Sequence, residues 1–269
     1  IIGKTIIKIQ RKLNYKYEKP IYNLLVKENI YKKFKNDNRS KLNRKYSVDE
    51  TFFDNIDSEE KAYILGFITA DGHVAYNRLK ISLNVKDIDI LEKIKASMKS
   101  DHPIVHFIKD KKYQHVSLDI PSVAISKSLS KYNLTSNKSL TMPNIMKHIP
   151  EHLYIPFLRG YFDGDGNIFY GIKYSSGTKY LITVVGTKEF LETSFNTVFK
   201  TNCKISKYKS CDIYAWKISK KSQVDEFLYK LYNKASIYLN RKYECSCKTT
   251  LYAGNPLELE LPKSNNIQD

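Results

Sequence analysis

No apolar run in this sequence approaches the roughly 18 residues that a membrane-crossing helix needs. The opening IIGKTIIKIQ has neither the length nor the small-residue cleavage site of a signal peptide. No membrane partner is expected, and a soluble, intracellular protein is. Cysteine is scarce too. Cys203, Cys211, Cys245 and Cys247 all fall in the last third of the chain, and the nearest pair is spaced C-x-C rather than the C-x2-C usual for zinc, so thiols in a reducing compartment are expected. Acidic residues are the third shortage: 28 Asp and Glu stand against 45 Lys and Arg, a formal charge of +17. A polyanion such as DNA or RNA is the natural partner. An AT-rich genome also enriches Lys, Asn, Ile and Tyr, so charge alone assigns no chemistry.

What is present is a chain of 269 residues, 42% hydrophobic, enough for one large domain or two ordinary ones, each with a core. Residues 1–35 read as two short basic helices, with Ile6, Ile9 and Leu13 at helical spacing and Pro20 in the first turn of the second. They suit a small helix-turn-helix DNA-binding segment, and equally two amphipathic helices packed on the main body. Residues 36–52, poor in large apolar side chains, read as a basic linker.

A first half, 53–151, comes next. SEEKAYILGFITADG predicts a helix with Ser58 as N-cap, Glu59 and Glu60 in the first turn and Gly72 at the stop. Leu79, Ile81, Leu83 and Val85 then alternate with Arg78, Lys80, Ser82 and Asn84, which predicts a strand with one apolar face and one face of donors holding two cations and no acid. KDIDILEKIKASM reads as a helix, and PIVHFI with YQHVSLDI as a second hairpin, before further helices. The order returns over 152–250, beginning with HLYIPFLRGYFDGDG. NIFYGIKY pairs with KYLITVV, and KISKYKS with IYAWKI, each pair followed by a helix. The fold class is therefore α+β, two copies of helix, hairpin, helix, hairpin, helix, with 251–269 as a tail.

Each half opens on the same motif, GFITADG at 66–72 and GYFDGDG at 160–166, offset by 94 residues (165 minus 71). Gly66 and Ala70, and Gly160 and Gly164, put small residues four apart on one helix face. If those faces meet, the backbones approach far more closely than bulky residues permit. Asp71 and Asp165 then lie side by side at the two helix ends. That place suits an isolated carboxylate poorly, because a helix C-terminus is partially negative and the paired acid adds more. A divalent metal answers both, with the backbone of Gly72 and Gly166 as further candidate ligands. One helix ending in Asp-Gly is common in any protein; two matched copies, each followed by a donor-faced hairpin, are not.

LGFITADG at 65–72 and LRGYFDGDG at 158–166 resemble the two signature motifs of a single-chain LAGLIDADG homing endonuclease, and the resemblance covers roughly 53–250. It implies two αββαββα halves about a pseudo-two-fold axis, forming a saddle whose sheets lie in the DNA major groove. It also implies a monomer that cuts both strands of a long asymmetric site with short 3′ overhangs, using two or three magnesium ions shared between Asp71 and Asp165. The family's basic residues near the scissile phosphates map onto Lys86, Lys138 and Lys242, which would order water and steady transition-state charge. The sequence departs from the pattern at Thr69, where an acid often stands and Asp163 keeps it in the second motif, and at Thr187, the counterpart of Lys86. Arg78, Lys80, Ser82 and Asn84 in the first half, and Lys173, Lys179 and Thr183 in the second, are the candidates for DNA contacts. A non-cleaving reading on the same scaffold, an intron RNA maturase or a DNA-binding regulator, stays open as the alternative, with RNA as the maturase's partner. Both motif acids being present favours the enzyme.

Overall fold

Ala62 to Thr69, eight residues in a row, are buried on every side of one helix, α1 (Glu59–Asp71). A helix apolar all round belongs at the centre of a molecule, not on its surface. Ser58 caps its start, the hydroxyl accepting from Lys61 N at 3.3 Å, with Glu59 and Glu60 in the first turn. The stop differs from the expected left-handed glycine. Gly72 occupies the C-cap with φ −75° and ψ 144°, extended backbone that runs straight into a strand. Glycine is required there for closeness instead: a Cβ would lie 2.6 Å from Ile68 Cγ2 and 2.8 Å from the Ile68 carbonyl oxygen.

The computed structural model describes residues 45–110, 112–135, 145–207 and 213–249. The chain divides into two compact units, Ile1–Ser47 and Val48–Asp269, and the second holds both motifs. The N-terminal helices, most of the linker, Lys138, Cys211 and the tail lie outside the described residues. The last part of the segment read as linker belongs to the second unit. Asp49 N donates to Met98 O at 3.0 Å, and Phe52 is buried in the core with its ring centroid 4.9 Å from that of Phe53.

After α1 come β1 (Gly72–Ala75), β2 (Arg78–Asn84), a 3-10 turn at Val85–Asp87, α2 (Ile88–Ser97), β3 (Ile104–Lys109), β4 (Tyr113–Ile120) and α3 (Val123–Ser130). The second half repeats this with α4 (Tyr154–Asp165), β5 (Gly166–Tyr174), β6 (Gly177–Gly186), α5 (Lys188–Leu191), α6 (Thr197–Phe199), β7 (Ser206–Lys207), β8 (Tyr214–Ile218), α7 (Lys221–Tyr232) and α8 (Asn240–Ser246). The architecture is α+β. Its two antiparallel sheets have the matching orders β1-β2-β4-β3 and β5-β6-β8-β7. The single helix expected at KEFLETSFNTVF contains a π-turn, Glu192–Asn196, between α5 and α6. One apolar core runs through both halves, with α1 and α4 at its centre. Among the described residues no helix is long and apolar enough to cross a membrane.

In β2 the alternation holds: Leu79, Ile81 and Leu83 are buried, while Arg78, Ser82 and Asn84 are exposed and Lys80 half-buried. In the second sheet a bulge at Gly171, φ +67°, interrupts the β5–β6 register between Tyr170 and Ile172. An inserted residue shifts the inside-outside parity of everything beyond it.

Candidate active site

The two motif helices cross through their glycines. A Cβ at Gly66 would lie 1.9 Å from Phe157 O, and one at Gly160 would lie 1.9 Å from Tyr63 O, so backbone rests on backbone at both places. One turn on, a Cβ at Gly164 would be 2.4 Å from the Ala70 Cβ and 3.2 Å from Asp71 Oδ2. The four small residues thus lie along one contact, and the Asp71 carboxylate rests against the end of α4. Asp71 is exposed and Asp165 half-buried.

Both acids act on the same two groups. The Tyr161 hydroxyl sits between Val185 O, at 2.8 Å, and the Asp165 carboxylate. Burial, then the charges of Asp165 and Asp71, hold its pKa well above the ordinary phenol value, so it stays protonated. The second group is Lys242, 3% exposed. Burial pulls its pKa down to about 8, against the opposing pull of Asp163, Asp71 and Asp165.

Lys242 stands within α8. Its ammonium donates to Phe162 O, to Asp163 O at 2.9 Å and to Gly166 O at 2.6 Å. An ammonium has three N–H bonds, and here all three meet carbonyls at the end of α4. This places a cation where the helix dipole is negative. It also engages the Gly166 carbonyl, one of the two candidate backbone ligands.

Asp163 anchors the same end from inside. It is 1% exposed and accepts from Tyr63 Oη at 2.6 Å, from Tyr232 Oη and from Leu239 N at 2.8 Å. Burial pushes its pKa up, and Lys242 with these donors pushes back. In the first half Thr69 turns its hydroxyl to Leu65 O at 2.7 Å. Arg159, 2% exposed, bonds Glu59 and, at 2.8 Å, Leu231 O.

Around this centre the other expected residues take different places. Lys86 lies exposed in the 3-10 turn after β2. Its backbone N donates to Asn84 Oδ1 at 3.1 Å, so the Asn84 side chain caps that turn and keeps its amide N–H groups for other partners. Thr187 is an N-cap, accepting from Phe190 N at 3.3 Å. Arg241 Nε and Nη2 grip Asp87 Oδ1 and Oδ2 at 2.6 and 3.1 Å, tying the turn that carries Lys86 to the helix that carries Lys242.

On the first sheet, Arg78, Lys80, Ser82 and Asn84 share the outer face with Asp119, which stands opposite Lys80 in β4. The donor face therefore holds an acid after all. Arg78 Nε lies 3.2 Å from Asp119 Oδ1, a charge contact without hydrogen-bond geometry. On the second, Lys179 and Thr183 share a face with Asn167 and Lys217. Beyond the bulge Lys173 pairs with Thr178, on the parity of Tyr180 and core-facing Ile182, opposite to Lys179. Sequence reasoning missed Tyr161, Arg241 and Asp87. Tyr161 carried a signal: it stands one helical turn before Asp165, where the first motif has Phe67.

No protein-family model and no curated protein matches this chain. Solved structures do. Meganuclease I-SmaMI bound to uncleavable DNA with a TTGT central four is 16% identical, aligned over 72% of this chain and 91% of that one, with a TM-score of 0.50. The same meganuclease with a TTCT central four gives 15% identity, 74% and 92% coverage and a TM-score of 0.50. The I-LtrWI LAGLIDADG homing endonuclease bound to target DNA is 14% identical over 69% of this chain and 87% of that one, with a TM-score of 0.49. At such identities the likeness is one of fold: the chain has the two-half α+β fold of the LAGLIDADG homing endonucleases.

Proposed function

We propose that this chain is a site-specific double-strand DNA endonuclease of the kind encoded by mobile introns. It hydrolyses phosphodiester bonds of a long asymmetric site with magnesium and leaves 3′ overhangs. The observation that carries this reading is the pair Asp71 and Asp165, held at adjoining ends of two helices whose backbones touch at Gly66 and Gly160. The fold it shares with DNA-bound meganucleases supports the same reading.

The donors fit a hard divalent cation. The Asp71 carboxylate rests against the end of the helix that Asp165 closes, and carboxylate oxygens are the hard ligands that such an ion takes. When bound, such ions polarise the phosphate and lower the pKa of water. Asp71 and Asp165 hold them, two or three in number. Lys242 and Asp163 fix the end of α4 and so the backbone of Asp165. Tyr161, kept protonated, orients the Asp165 carboxylate. Lys86 and Lys138 are the lysines of this reading that order water near a scissile phosphate. Arg78, Lys80, Ser82, Asn84, Lys179, Thr183 and, at the hairpin's end, Lys173 contact the duplex. Because one chain supplies both acids, it acts as a monomer.

With magnesium, purified protein nicks and then cuts a duplex selected from a randomised pool. Asp71→Asn and Asp165→Asn each keep binding and stop cutting of at least one strand. Unchanged cleavage of both strands by both variants refutes the assignment. Binding itself falls steeply with added salt.

A further inference from the structure

The outer face of the first sheet carries side chains that a solvated surface does not call for. Val105 is 51% exposed, Phe107 37% and Tyr113 50%. The register puts all three on one side: Val105 opposite Ser117, Phe107 opposite His115 and Tyr113 opposite Lys109. Ser117 and His115 in turn stand opposite Ser82 and Asn84. An apolar stripe on β3 and β4 therefore runs beside the donor row of β2, on the same face. The Phe107 ring packs on His115 at a tilt, centroids 5.7 Å apart.

The surroundings decide what such a stripe meets. Its cationic neighbours on this face are Lys109, Arg78 and Lys80, and the one acid opposite β2, Asp119, is in contact with Arg78. In a chain of net charge +17, an apolar stripe edged by cations complements an anionic partner with apolar groups in reach. The major-groove edge of DNA has one such group among its four base pairs: the thymine C5-methyl, next to the O4 acceptor. Cytosine offers an amino donor in its place, which cations and donor side chains do not favour.

We infer that β3 and β4 read thymine methyls, with Val105 and Phe107 as the specificity-determining contacts and Tyr113 at the outer end. The part of the target under the first sheet is then rich in A·T pairs, selected by methyl contact rather than by hydrogen bonding alone. Lys80 and Lys109 supply phosphate or acceptor contacts that carry less sequence information. This inference rests on the proposed reading of the chain as a site-specific DNA-binding enzyme.

The test uses the full chain and the duplex it enriches from a randomised pool, remade with deoxyuridine replacing thymine one position at a time. Uracil pairs identically and lacks only the methyl. Wild type binds the substituted duplex about fourfold more weakly at each position where a methyl is buried, equivalent to ~0.8 kcal/mol per carbon. Val105→Ala and Phe107→Ala each abolish that sensitivity at their own position, while Lys80→Ala weakens binding to thymine and uracil duplexes alike. All three side chains lie on the outer face of the sheet, and unchanged melting curves check that the variants fold. An enriched sequence bound equally well with uracil throughout overturns the inference and leaves the endonuclease reading standing. Concentration-dependent self-association lost in Phe107→Asp also overturns it, since the stripe then faces a second copy. A pool from which no sequence is enriched overturns both.

Discussion

Adding one methyl group at Gly66 or Gly160 tests the geometry on which the site depends. In Gly66→Ala the new carbon falls 1.9 Å from Phe157 O, and in Gly160→Ala it falls 1.9 Å from Tyr63 O. Ordinary contact begins near 3.4 Å, so each variant forces the two backbones apart by about 1.5 Å. Neither helix has room to move, because Ala62–Thr69 and Phe157–Asp163 are buried throughout. Overpacking of this kind costs about 3 kcal/mol. Replacing a mid-helix glycine by alanine returns up to ~1 kcal/mol of helix propensity. The clash wins, leaving a net loss of about 2 kcal/mol, or roughly 0.7 M in urea midpoint at a slope near 3 kcal/mol/M. Both methyls push the same two helices apart, so the double variant loses less than the two singles added together, by about 1 kcal/mol or more. Since the same displacement separates Asp71 from Asp165, cleavage at a temperature where every variant is folded falls along with stability. Urea unfolding followed by circular dichroism, with plasmid cleavage in parallel, measures both. A midpoint within about 0.5 kcal/mol of wild type, or strict additivity, refutes the backbone contact.

The site gives three further expected outcomes. Lys242→Met leaves three carbonyls at the end of α4 without their donor and is expected to cost about 3–5 kcal/mol at neutral pH. The Lys242 pKa near 8 lies below the ordinary lysine value of 10.5, so between those values the unfolded chain binds the extra proton and wild-type stability rises with pH. The wild-type margin over Lys242→Met, read by urea midpoints, therefore widens above pH 8 by up to ~3 kcal/mol, and a margin that narrows shows that burial does not dominate. Arg241→Met removes a half-exposed fork on Asp87 and costs only about 1 kcal/mol of stability, yet slows the cutting of one strand more than the other through the turn bearing Lys86; equal slowing of both strands, seen as no build-up of nicked plasmid, argues against it. Magnesium at about ten times its dissociation constant, without DNA, stabilises wild type by ~1.4 kcal/mol. Asp71→Asn and Asp165→Asn lose that gain, and an undiminished melting shift in both removes the two-acid site.

How far the sequence alone reached depended on how local each signal was. The Ser58 cap, the alternation in β2 and the repeat of element order are written in neighbouring residues, and each has its counterpart in the fold. The small residues at 66, 70, 160 and 164 allow a close crossing because their spacing is a property of one helix turn. What stayed hidden comes from residues distant in sequence. Asp119 meets Arg78 only because β4 lies beside β2. The π-turn and the Gly171 bulge are single-residue slips, and the second inverts the facing of Lys173. The resemblance maps Lys242 onto a basic residue near a scissile phosphate, and its three carbonyl partners come from residues about eighty positions earlier. Arg241 and Asp87 needed coordinates for the same reason.

The buried bond from Tyr63 to Asp163 crosses from the first half to the second, and no equivalent bond runs in the other direction. Its counterparts 94 residues away are Phe157, which has no hydroxyl, and Thr69, which bonds within its own helix. The joint thus has a plug side and a socket side. Two copies of either half would mismatch, one pairing stranding two phenols and the other leaving each carboxylate with only its Tyr232 and Leu239 donors. The molecule consequently has a distinguishable head and tail.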